Sequence, residues 1–380
     1  MGRAALDVTP LTDFFFYGTL CHAPLLRVVL GREVALEDAH LPGHSVFWAR
    51  GRAFPLLVEG GAGASGRVAR GLTAADIRRL DYYEGGFGYE TREVWLSGER
   101  LPARVYFPQP GLWTPGAPWS LEEWAARWGE TVVAAAEEAM RLCAEGVDPV
   151  RMQARYPMML ARAGARLRAA ATAPARVRRA ARPEDLETER HWQPYQNFFA
   201  VEEYDLRFRR FDGSMSATVN RAVFISADAA VVLPYDPARD RVLLIEQFRM
   251  GPYARGDREP WLLEAIAGRI DGGETPEAAA RREAQEEAGL TLRELLPAPH
   301  YYPSPSAKSE FLYNFVGLAD LPDGIAGLGG LPGEAEDIRA HLMPFEELLE
   351  LVESGEITAG PLVLLTYWLA LRRPGLRAGA

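Results

Sequence analysis

The chain has 380 residues, of which 48% are hydrophobic and 25% are charged, and its formal net charge is −10 at pH 7. This length and composition predict a globular protein of about two domains, and the negative charge argues against a general affinity for the nucleic-acid backbone or an anionic membrane surface. The two cysteines, Cys21 and Cys143, supply neither a disulfide framework nor a zinc-ligand set.

The sequence contains no segment that predicts targeting or membrane insertion. Residues 1–13 lack the basic and then apolar pattern of a signal peptide. The longest apolar run, near residues 361–371, is too short to cross a bilayer. We therefore expect a cytoplasmic protein.

Residues 1–110 predict a first domain of short strands and turns. A buried strand is expected to run into Gly18-Thr19-Leu20, where a glycine and a hydroxyl can present backbone N–H groups. Taken alone, Glu84 would be an exposed acid after a helix. The predicted elements are a strand at 14–17, a helix at 73–83 and strands at 93–96 and 103–107.

Several short motifs in this domain occur in a familiar order. They are Tyr17-Gly18-Thr19-Leu20, Ala53-Phe54-Pro55, Leu80-Asp81-x-x-Glu84-Gly85 and Tyr89. In order and spacing they resemble the gamma-glutamylcyclotransferase-like family, which implies a small α+β domain built on a β-barrel. The resemblance also implies that Glu84 is a general acid/base while a gamma-glutamyl amine cyclises to 5-oxoproline. The α-amino-acid end of the substrate would be held by Tyr17, Gly18, Thr19 and Leu20.

Such a role requires a carboxyl whose pKa is raised by burial among apolar neighbours. The side chains available for this are Tyr82, Tyr83, Phe87 and Tyr89. Two alternatives remain for the domain: an active cyclotransferase, or a scaffold or binding module.

Residues 111–190 predict a linker followed by a helical connector. Proline and glycine are frequent in residues 108–118, and Ser120-x-x-Glu123 is a capping box that opens a helix ending near Gly146. A second helical stretch is expected to be interrupted near Pro157. Residues 150–183 contain nine arginines and no acid. Because alanines dilute these arginines and no aromatic ladder accompanies them, we expect a connector that packs against acidic parts of the chain rather than a nucleic-acid site.

Residues 191–380 predict a second domain in which strands are flanked by helices. Asp236-Pro-Ala-Arg-Asp240 is a turn-rich hairpin loop between two buried strands. The predicted strands are 201–211, 218–225, 229–235, 242–247, 301–306 and 311–316, and the predicted closing helices are 345–354 and 361–372. This pattern fits an α/β/α sandwich.

A capped helix with an acidic face follows a glycine-rich loop in this domain. Thr275 as the N-cap, Pro276 at the first helical position and Gly289 as a left-handed C-cap predict a helix over residues 276–288.

Three carboxylates share one face of this helix. Glu283, Glu286 and Glu287 stand at positions i, i+3 and i+4. Such a face is costly unless it is solvated, paired or bound to cations, and Mg²⁺ prefers oxygen ligands that it shares with substrate phosphates.

The spacing distinguishes a functional site from a solvated acidic face. The segment reads Gly268-x5-Glu274-x7-Arg282-Glu283-Ala284-x-Glu286-Glu287-x-Gly289-Leu290. It fits the Nudix box at every defined position. The chain therefore resembles the Nudix hydrolases, which cleave nucleoside diphosphates linked to another moiety, and the resemblance implies an α/β/α sandwich with a mixed sheet.

The short sequence motifs around the box resemble those of the ADP-ribose pyrophosphatase branch, and this resemblance covers about residues 195–372. They are Leu233-Pro-Tyr-Asp-Pro237, Glu246-Gln-Phe-Arg249, Pro260-Trp-Leu-Leu-Glu264 and Ala267-Gly268. Pro305, sixteen residues beyond Gly289, matches the proline that marks ADP-ribose specificity. The family usually has glycine where this chain has Ser306, and a serine takes positive φ less cheaply. The exact sugar is therefore open.

The resemblance assigns roles by matching position. Glu283 and Glu287 would be the main metal ligands, helped by Glu286 and the backbone carbonyl of Ala267, with Arg282 orienting a nearby acid. Arg249 would hold the pyrophosphate. In an acidic loop, Glu334 would be the catalytic base and Glu336 a further metal contact. The expected cofactor is Mg²⁺, with Mn²⁺ as an alternative.

Three readings of function compete: a Nudix hydrolase with an added cyclotransferase-like module, a bifunctional enzyme, or a non-catalytic sensor of nucleotides. The intact box favours an enzyme that converts ADP-ribose to AMP and ribose 5-phosphate, with another nucleoside diphosphate sugar or NADH as the alternative substrate. The resemblance also implies a homodimer that exchanges the strands of residues 192–211. The domain order resembles bacterial proteins linked to tellurite resistance.

Overall fold

The computed structural model describes residues 11–100, 102–170, 176–330 and 337–379. The chain forms two compact units, Met1–Leu167 and Arg168–Ala380. Both units contain sheets and helices, so the predicted α/β class is confirmed. Among the described helices none is both long and apolar enough to cross a membrane.

The first unit is built on two sheets. Its strands are β1 (Thr12–Phe16), β2 (Leu36–Leu41), β3 (His44–Ala49), β4 (Pro55–Glu59), β5 (Ala64–Leu72), β6 (Tyr89–Val94), β7 (Ala103–Pro108) and β8 (Pro115–Pro118). One sheet has the order β2-β5-β1-β7-β6 and the other β4-β3-β8. The central strand β1 is antiparallel to β5 and parallel to β7.

The helices of this part of the chain pack on the first sheet. They are α1 (Ala23–Leu30), α2 (Ala74–Gly85), α3 (Leu121–Trp124), α4 (Glu130–Ala144) and α5 (Pro149–Ala169), with a π-helical turn (Ala125–Gly129) between α3 and α4. Buried Phe14 of β1, Leu25 of α1 and Met159 of α5 belong to one apolar core.

The structure places most of the expected connector inside the first unit. Trp124 is fully buried, and its indole N–H donates to the carbonyl oxygen of Ala53 at 3.0 Å. Helix α5 also continues through Pro157, so the interruption expected there is wrong. A proline removes one helical hydrogen bond, but the neighbouring Tyr156 and Met159 are buried in the core, and this packing holds the helix together.

The second unit contains a mixed sheet and a separate three-stranded antiparallel sheet. The strands are β9 (Leu186–Gln196), β10 (Ala200–Phe208), β11 (Val219–Ile225), β12 (Ala229–Asp236), β13 (Arg241–Phe248), β14 (Trp261–Glu264), β15 (Ile266–Arg269), β16 (Leu295–Pro297), β17 (Leu312–Leu318), β18 (Leu328–Gly329) and β19 (Ile338–Pro344). The mixed sheet has the order β16-β17-β12-β13-β19-β18, with β14 on β13 and β15 on β12, whereas the smaller sheet has the order β11-β10-β9.

Helices cover both faces of the mixed sheet. They are α6 (Met250–Arg255), α7 (Pro276–Ala288), α8 (Phe345–Ser354) and α9 (Gly360–Ala378). Alternate residues of β12 point to opposite faces: Val232 packs in one core with Ala284 of α7, and Val231 packs in another core with Leu365 of α9. The α/β/α sandwich is confirmed.

One predicted strand of this unit is wrong. Residues 301–306 form a turn, with a single isolated bridge from Tyr301 to Leu312. Pro303 and Pro305 cannot donate hydrogen bonds to a sheet, and this explains why pairing stops at Tyr301.

Candidate active sites

Local capping places the acidic helix of the second unit. Helix α7 runs from Pro276 to Ala288 as predicted; the Thr275 hydroxyl accepts a hydrogen bond from the amide of Ala278 at 3.2 Å, and Gly289 closes the helix at φ 64°. The buried alanines of the helix face the sheet. The predicted helix and both of its caps are confirmed.

A glycine makes room for one of the three carboxylates. A Cβ atom at Gly268 would lie 1.8 Å from Oε1 of Glu283. Gly268 sits on β15, opposite Ala230 of β12, so its backbone cannot readily move away. The carboxylate of Glu283 therefore occupies a cradle, the space that the side chain of any larger residue at position 268 would fill.

Arg282 ties the acidic face together. Its Nη1 donates to Glu283 at 2.6 Å and to Glu286 at 2.9 Å, while its Nε and Nη2 donate to the carboxylate of Glu274. Nη2 also donates to the carbonyl oxygen of Arg269 at 2.9 Å. Burial alone would lower the pKa of Arg282, but the three carboxylates outweigh it and hold that pKa above its ordinary value. Arg282 thus fixes the orientation of these carboxylates, the role expected of it.

Glu287 is the most deeply buried acid of the box, with 2% of its surface exposed. Its Oε2 accepts a hydrogen bond from the amide of Ala267 at 3.3 Å. The structure thus brings Ala267 and Glu287 together, and Glu283 and Glu286 stand on the same helix.

The donor chemistry of this face fits a hard divalent cation. Carboxylate oxygens and a backbone carbonyl are the ligands that Mg²⁺ and Mn²⁺ accept, and the cradle at Gly268 leaves a carboxylate where a side chain would otherwise lie. Within the ranges that the structure describes, no three acidic, histidine or cysteine side chains converge on one point. Arg282 forms ion pairs with two of the carboxylates, Glu283 and Glu286. The expected base Glu334 and the expected metal contact Glu336 lie outside the described residues.

Arg249 lies at the start of α6, where it is the N-cap residue. Its Nε donates to Glu264 at 2.6 Å, and the Arg249 side chain is 38% exposed, so part of it stays accessible to a ligand. Burial raises the pKa of Glu264, and the positive charge of Arg249 offsets part of this shift. The structure links Arg249 to a half-buried acid, Glu264, to which the sequence analysis assigned no role.

The turn after β16 carries Pro305, which is exposed. The carbonyl oxygen of Ser304 accepts hydrogen bonds from the amides of Ala307 and Lys308 at 3.0 and 2.8 Å. Ser306 is not among the described residues with positive φ. The chain therefore forms this turn without the left-handed conformation for which a glycine would be needed.

The sequence analysis missed an aromatic strip in this unit. The rings of Phe198, Phe199 and Phe224 form a row with centroid distances of 4.8 and 4.7 Å. The guanidinium of Arg269 lies 4.3 Å from the Phe198 ring, and the Lys308 ammonium lies 5.9 Å from the Phe224 ring. Two adjacent phenylalanines in the hairpin between β9 and β10, half of the Phe198 surface exposed, were the available signal.

In the first unit, a tight turn follows the central strand. Tyr17 and Leu20 are buried, and a 3₁₀ turn begins at Thr19. The first amides of such a turn have no acceptor within it. A Cβ at Gly18 would lie 2.3 Å from Cγ of Pro55, so the second cyclotransferase-like motif packs directly on the first.

Glu84 lies in the last turn of α2 among aromatic side chains. Glu84 is half-buried, and burial raises the pKa of its carboxyl to about 7. The negative charge of Glu84 also contributes to the raised pKa of the Tyr17 phenol, so the structure brings Glu84 near the turn. Of the expected aromatic neighbours, Tyr83 and Tyr89 likewise sense this charge.

Two further tyrosines near Glu84 were missed. Burial, together with the charge of Glu84, raises the pKa of both Tyr106 and Tyr156. Tyr106 lies on a predicted strand and could have been found by its alternation, whereas Tyr156 comes from α5, which the sequence placed in a connector.

Two family models match parts of the chain, one in each unit. A family model described as NUDIX domain matches residues 226–363, and one described as gamma-glutamyl cyclotransferase, AIG2-like, matches residues 14–126.

Curated relatives match the region around the first of these models. The chain is 42% identical over 183 residues, 48% of this chain and 87% of the relative, to an ADP-ribose pyrophosphatase of Escherichia coli (strain K12). It is 36% identical over 179 residues, 47% of this chain and 82% of the relative, to an ADP-ribose pyrophosphatase of Haemophilus influenzae. It is 32% identical over 175 residues, 46% of this chain and 90% of the relative, to a GDP-mannose pyrophosphatase of Escherichia coli O1:K1 / APEC.

Proposed function

The chain belongs to the Nudix hydrolase family, and from this membership we propose that its second unit hydrolyses the pyrophosphate bond of ADP-ribose to give AMP and ribose 5-phosphate. The observation that carries the proposal is the acidic face of α7, where Arg282 orients Glu283 and Glu286 while Glu287 is buried against Ala267. Similarity to the ADP-ribose pyrophosphatases supports the choice of substrate.

Each candidate site residue of this unit has a separate role in the proposed hydrolysis. Arg249, whose guanidinium is partly exposed, would bind the pyrophosphate oxygens. Glu334 would take a proton from water as the water oxygen attacks one phosphorus, and the bond from that phosphorus to the bridging oxygen breaks. Ala267, Glu283, Glu286, Glu287 and Glu336 would hold the divalent cation. When bound, that cation neutralises charge on the pyrophosphate and so favours attack at phosphorus.

The aromatic strip offers a place for the nucleoside. Exposed phenylalanine rings stack well on a purine, and a neighbouring cation strengthens such a contact. We assign this role to Phe198, with Arg269 beside it. Another nucleoside diphosphate sugar, or NADH, is the alternative substrate, and the relative named GDP-mannose pyrophosphatase supports including sugar nucleotides in any screen.

A single substitution tests the hydrolase. Glu287→Gln keeps an oxygen that can accept from Ala267, so the fold should persist, but it removes the anionic ligand. We expect kcat for ADP-ribose with saturating Mg²⁺ to fall by more than about a hundredfold. Substituting a residue that only orients a metal ligand already lowers activity by up to about that factor, and Glu287 is assigned as a ligand itself.

The matched control is Glu277→Gln, which changes an exposed acid in the first turn of the same helix. It should leave kcat unchanged. Near-normal turnover by Glu287→Gln would contradict the metal-ligand assignment, and turnover of GDP-sugars or NADH above that of ADP-ribose would move the substrate to the alternative.

Three finer assignments belong to the same proposal. The physiological cation is Mg²⁺, with Mn²⁺ able to replace it; the protein is cytoplasmic; and the active form is a homodimer. The association with tellurite resistance remains a prediction from domain order.

For the first unit we propose gamma-glutamyl amine cyclotransferase activity, because Glu84 combines a pKa near neutrality with a position beside the turn at residues 17–20. Glu84 would accept a proton from the substrate's α-amino group as its nitrogen attacks the side-chain carbonyl carbon. The amide bond to the departing amine then breaks, and Glu84 returns the proton to that amine. The products are 5-oxoproline and a free amine.

Release of 5-oxoproline from several gamma-glutamyl amines tests this activity. The wild type should release it, Glu84→Gln should not, and Glu90→Gln, an exposed acid on the following strand, should behave as the wild type. If none of the three proteins releases 5-oxoproline, the unit is a scaffold or a binding module.

A further inference from the structure

Five tyrosines from five different parts of the first unit lie within the influence of the Glu84 charge. They are Tyr17 after β1, Tyr83 on α2, Tyr89 on β6, Tyr106 on β7 and Tyr156 on α5. The pKa of each phenol is raised, first by burial, and in every case the charge of Glu84 is among the further causes. All five phenols are therefore close enough to sense the carboxylate.

The hydroxyl groups of four of these tyrosines are bonded elsewhere. Those of Tyr83 and Tyr156 share one hydrogen bond of 2.7 Å. The Tyr106 hydroxyl donates to Oδ1 of Asp81 at 2.7 Å, and the Tyr89 hydroxyl donates to the carbonyl oxygen of Pro55 over a long 3.5 Å. Within the described ranges no hydrogen bond reaches the Glu84 carboxyl.

Helix α5 supplies Tyr156 from outside the cyclotransferase-like match, which ends at residue 126. A Cβ at Gly86 would lie 2.9 Å from both Cβ of Gln153 and the carbonyl oxygen of Pro149, so the absence of a side chain at Gly86 lets α5 approach the end of α2. The ring of Tyr156 then packs edge-on against Phe87 at 5.3 Å. Tyr156 thus reaches the Glu84 site from outside the matched residues.

We propose that Tyr156 and Asp81 are positioning residues of the Glu84 site: they hold the hydroxyls of Tyr83 and Tyr106 and so keep both phenols from donating to the carboxyl. The proposal rests on the acid–base function assigned to Glu84 above. A carboxylate that accepts no hydrogen bond is poorly stabilised as an anion and takes a proton readily. Glu84 is then left to exchange its proton with a bound amine.

The other titratable groups that face the five phenols act on the tyrosines and not on Glu84. Arg104 on β7 acts on Tyr106, and Cys21 acts on Tyr17. Burial is the cause that acts on Glu84 itself. The positions of the neighbouring hydroxyls therefore decide whether its anion gains a hydrogen bond.

A titration of Glu84 in the full chain tests the role of Tyr156. The protein is labelled with ¹³C at the glutamate carboxyls, and Glu84→Gln identifies the signal. The wild-type signal should titrate at about pH 7. In Tyr156→Phe the ring packing stays, the Tyr83 hydroxyl becomes free to donate to Glu84, and the pKa of Glu84 should fall by about one unit, the size expected of one such bond.

The double variant Tyr83→Phe/Tyr156→Phe is the matched control. It removes the freed donor as well, so the pKa of Glu84 should return to the wild-type value or above it. A Tyr156→Phe protein whose Glu84 pKa is unchanged or raised overturns the role of Tyr156, as does a double variant whose Glu84 pKa stays low.

The role of Asp81 is tested by two variants at one exposed position. Asp81→Ala and Asp81→Asn both remove a negative charge, but asparagine keeps an oxygen that can accept from Tyr106. The pKa of Glu84 should therefore be lower in Asp81→Ala than in Asp81→Asn. Equal values overturn this role, and because the position is exposed, the pair remains informative even if Tyr156→Phe does not fold.

These measurements separate the inference from the proposed function. A wild-type Glu84 that titrates in the ordinary glutamate range contradicts the acid–base function itself. A wild-type value near neutrality that responds to none of the variants contradicts only the positioning roles.

Discussion

At the scale of single residues, the box predicted which groups gather, and the structure adds how they are held. The i, i+3, i+4 spacing placed Glu283, Glu286 and Glu287 on one face of α7. The spacing could not reveal that the Arg282 guanidinium donates hydrogen bonds to Glu283, Glu286 and Glu274. Glu274 belongs to the loop before the helix, and it comes within reach of Arg282 only when that loop has folded. Long-range packing also decides the raised pKa of Glu84, whose tyrosine neighbours outside its own helix come from β6, β7, α5 and the turn after β1.

Gly268 is the residue whose requirement follows most directly from distance. In Gly268→Ala the new methyl would lie 1.8 Å from Oε1 of Glu283 and 1.9 Å from its Cδ, so the carboxylate must leave its position. We expect kcat/KM for ADP-ribose to fall by about tenfold to a hundredfold, the range seen when metal ligands are misplaced, while circular dichroism shows a folded protein.

The control for this prediction is Gly251→Ala on α6. A Cβ there meets no atom within 4 Å, and alanine favours a helix more than glycine does. Gly251→Ala should keep wild-type kinetics. Wild-type kinetics for Gly268→Ala as well would show that the cradle does not fix the Glu283 carboxylate.

At the scale of elements, prediction succeeded where the signals were local. Helix α7 matches its predicted bounds because Thr275, Pro276 and Gly289 determine its ends without help from the rest of the fold. Prediction failed where tertiary packing decided. Pro157 signals a break, yet α5 passes through it because its apolar face is buried, and residues 301–306 contain sheet-forming tyrosines but prolines prevent their pairing.

The expected connector shows the same limit. The sequence predicted that the arginine-rich connector packs against acidic parts of the chain, but it could not identify Glu138 on α4 as the partner with which Arg162 is buried. The pair is almost fully buried, and its two helices complete the first unit. Their contribution to the Glu84 site therefore emerged only from the structure.

At the scale of the whole molecule, the chain joins two units with unlike acidic groups: one carries several carboxylates on a helix face, and the other keeps a carboxyl that accepts no hydrogen bond within the described residues. The second unit presents a small sheet, β9-β10-β11, with several exposed apolar side chains on it and on the turns beside it. They are Leu186, Tyr195, Phe198 and Phe208, followed by Phe211. Exposed apolar side chains grouped in this way mark an association surface.

The homodimer proposed above would cover this sheet, and light scattering can decide it. At micromolar concentration we expect a mass of twice the 42.0 kDa chain. Phe211→Ser removes an apolar side chain that is 96% exposed. It cannot disturb the core, so it should shift the mass toward the monomer only if Phe211 is buried between two copies. Leu371→Ser, an 81% exposed position on α9, is the control and should keep the dimer mass. A wild-type monomer would contradict the homodimer, and equal effects of the two substitutions would place the interface elsewhere.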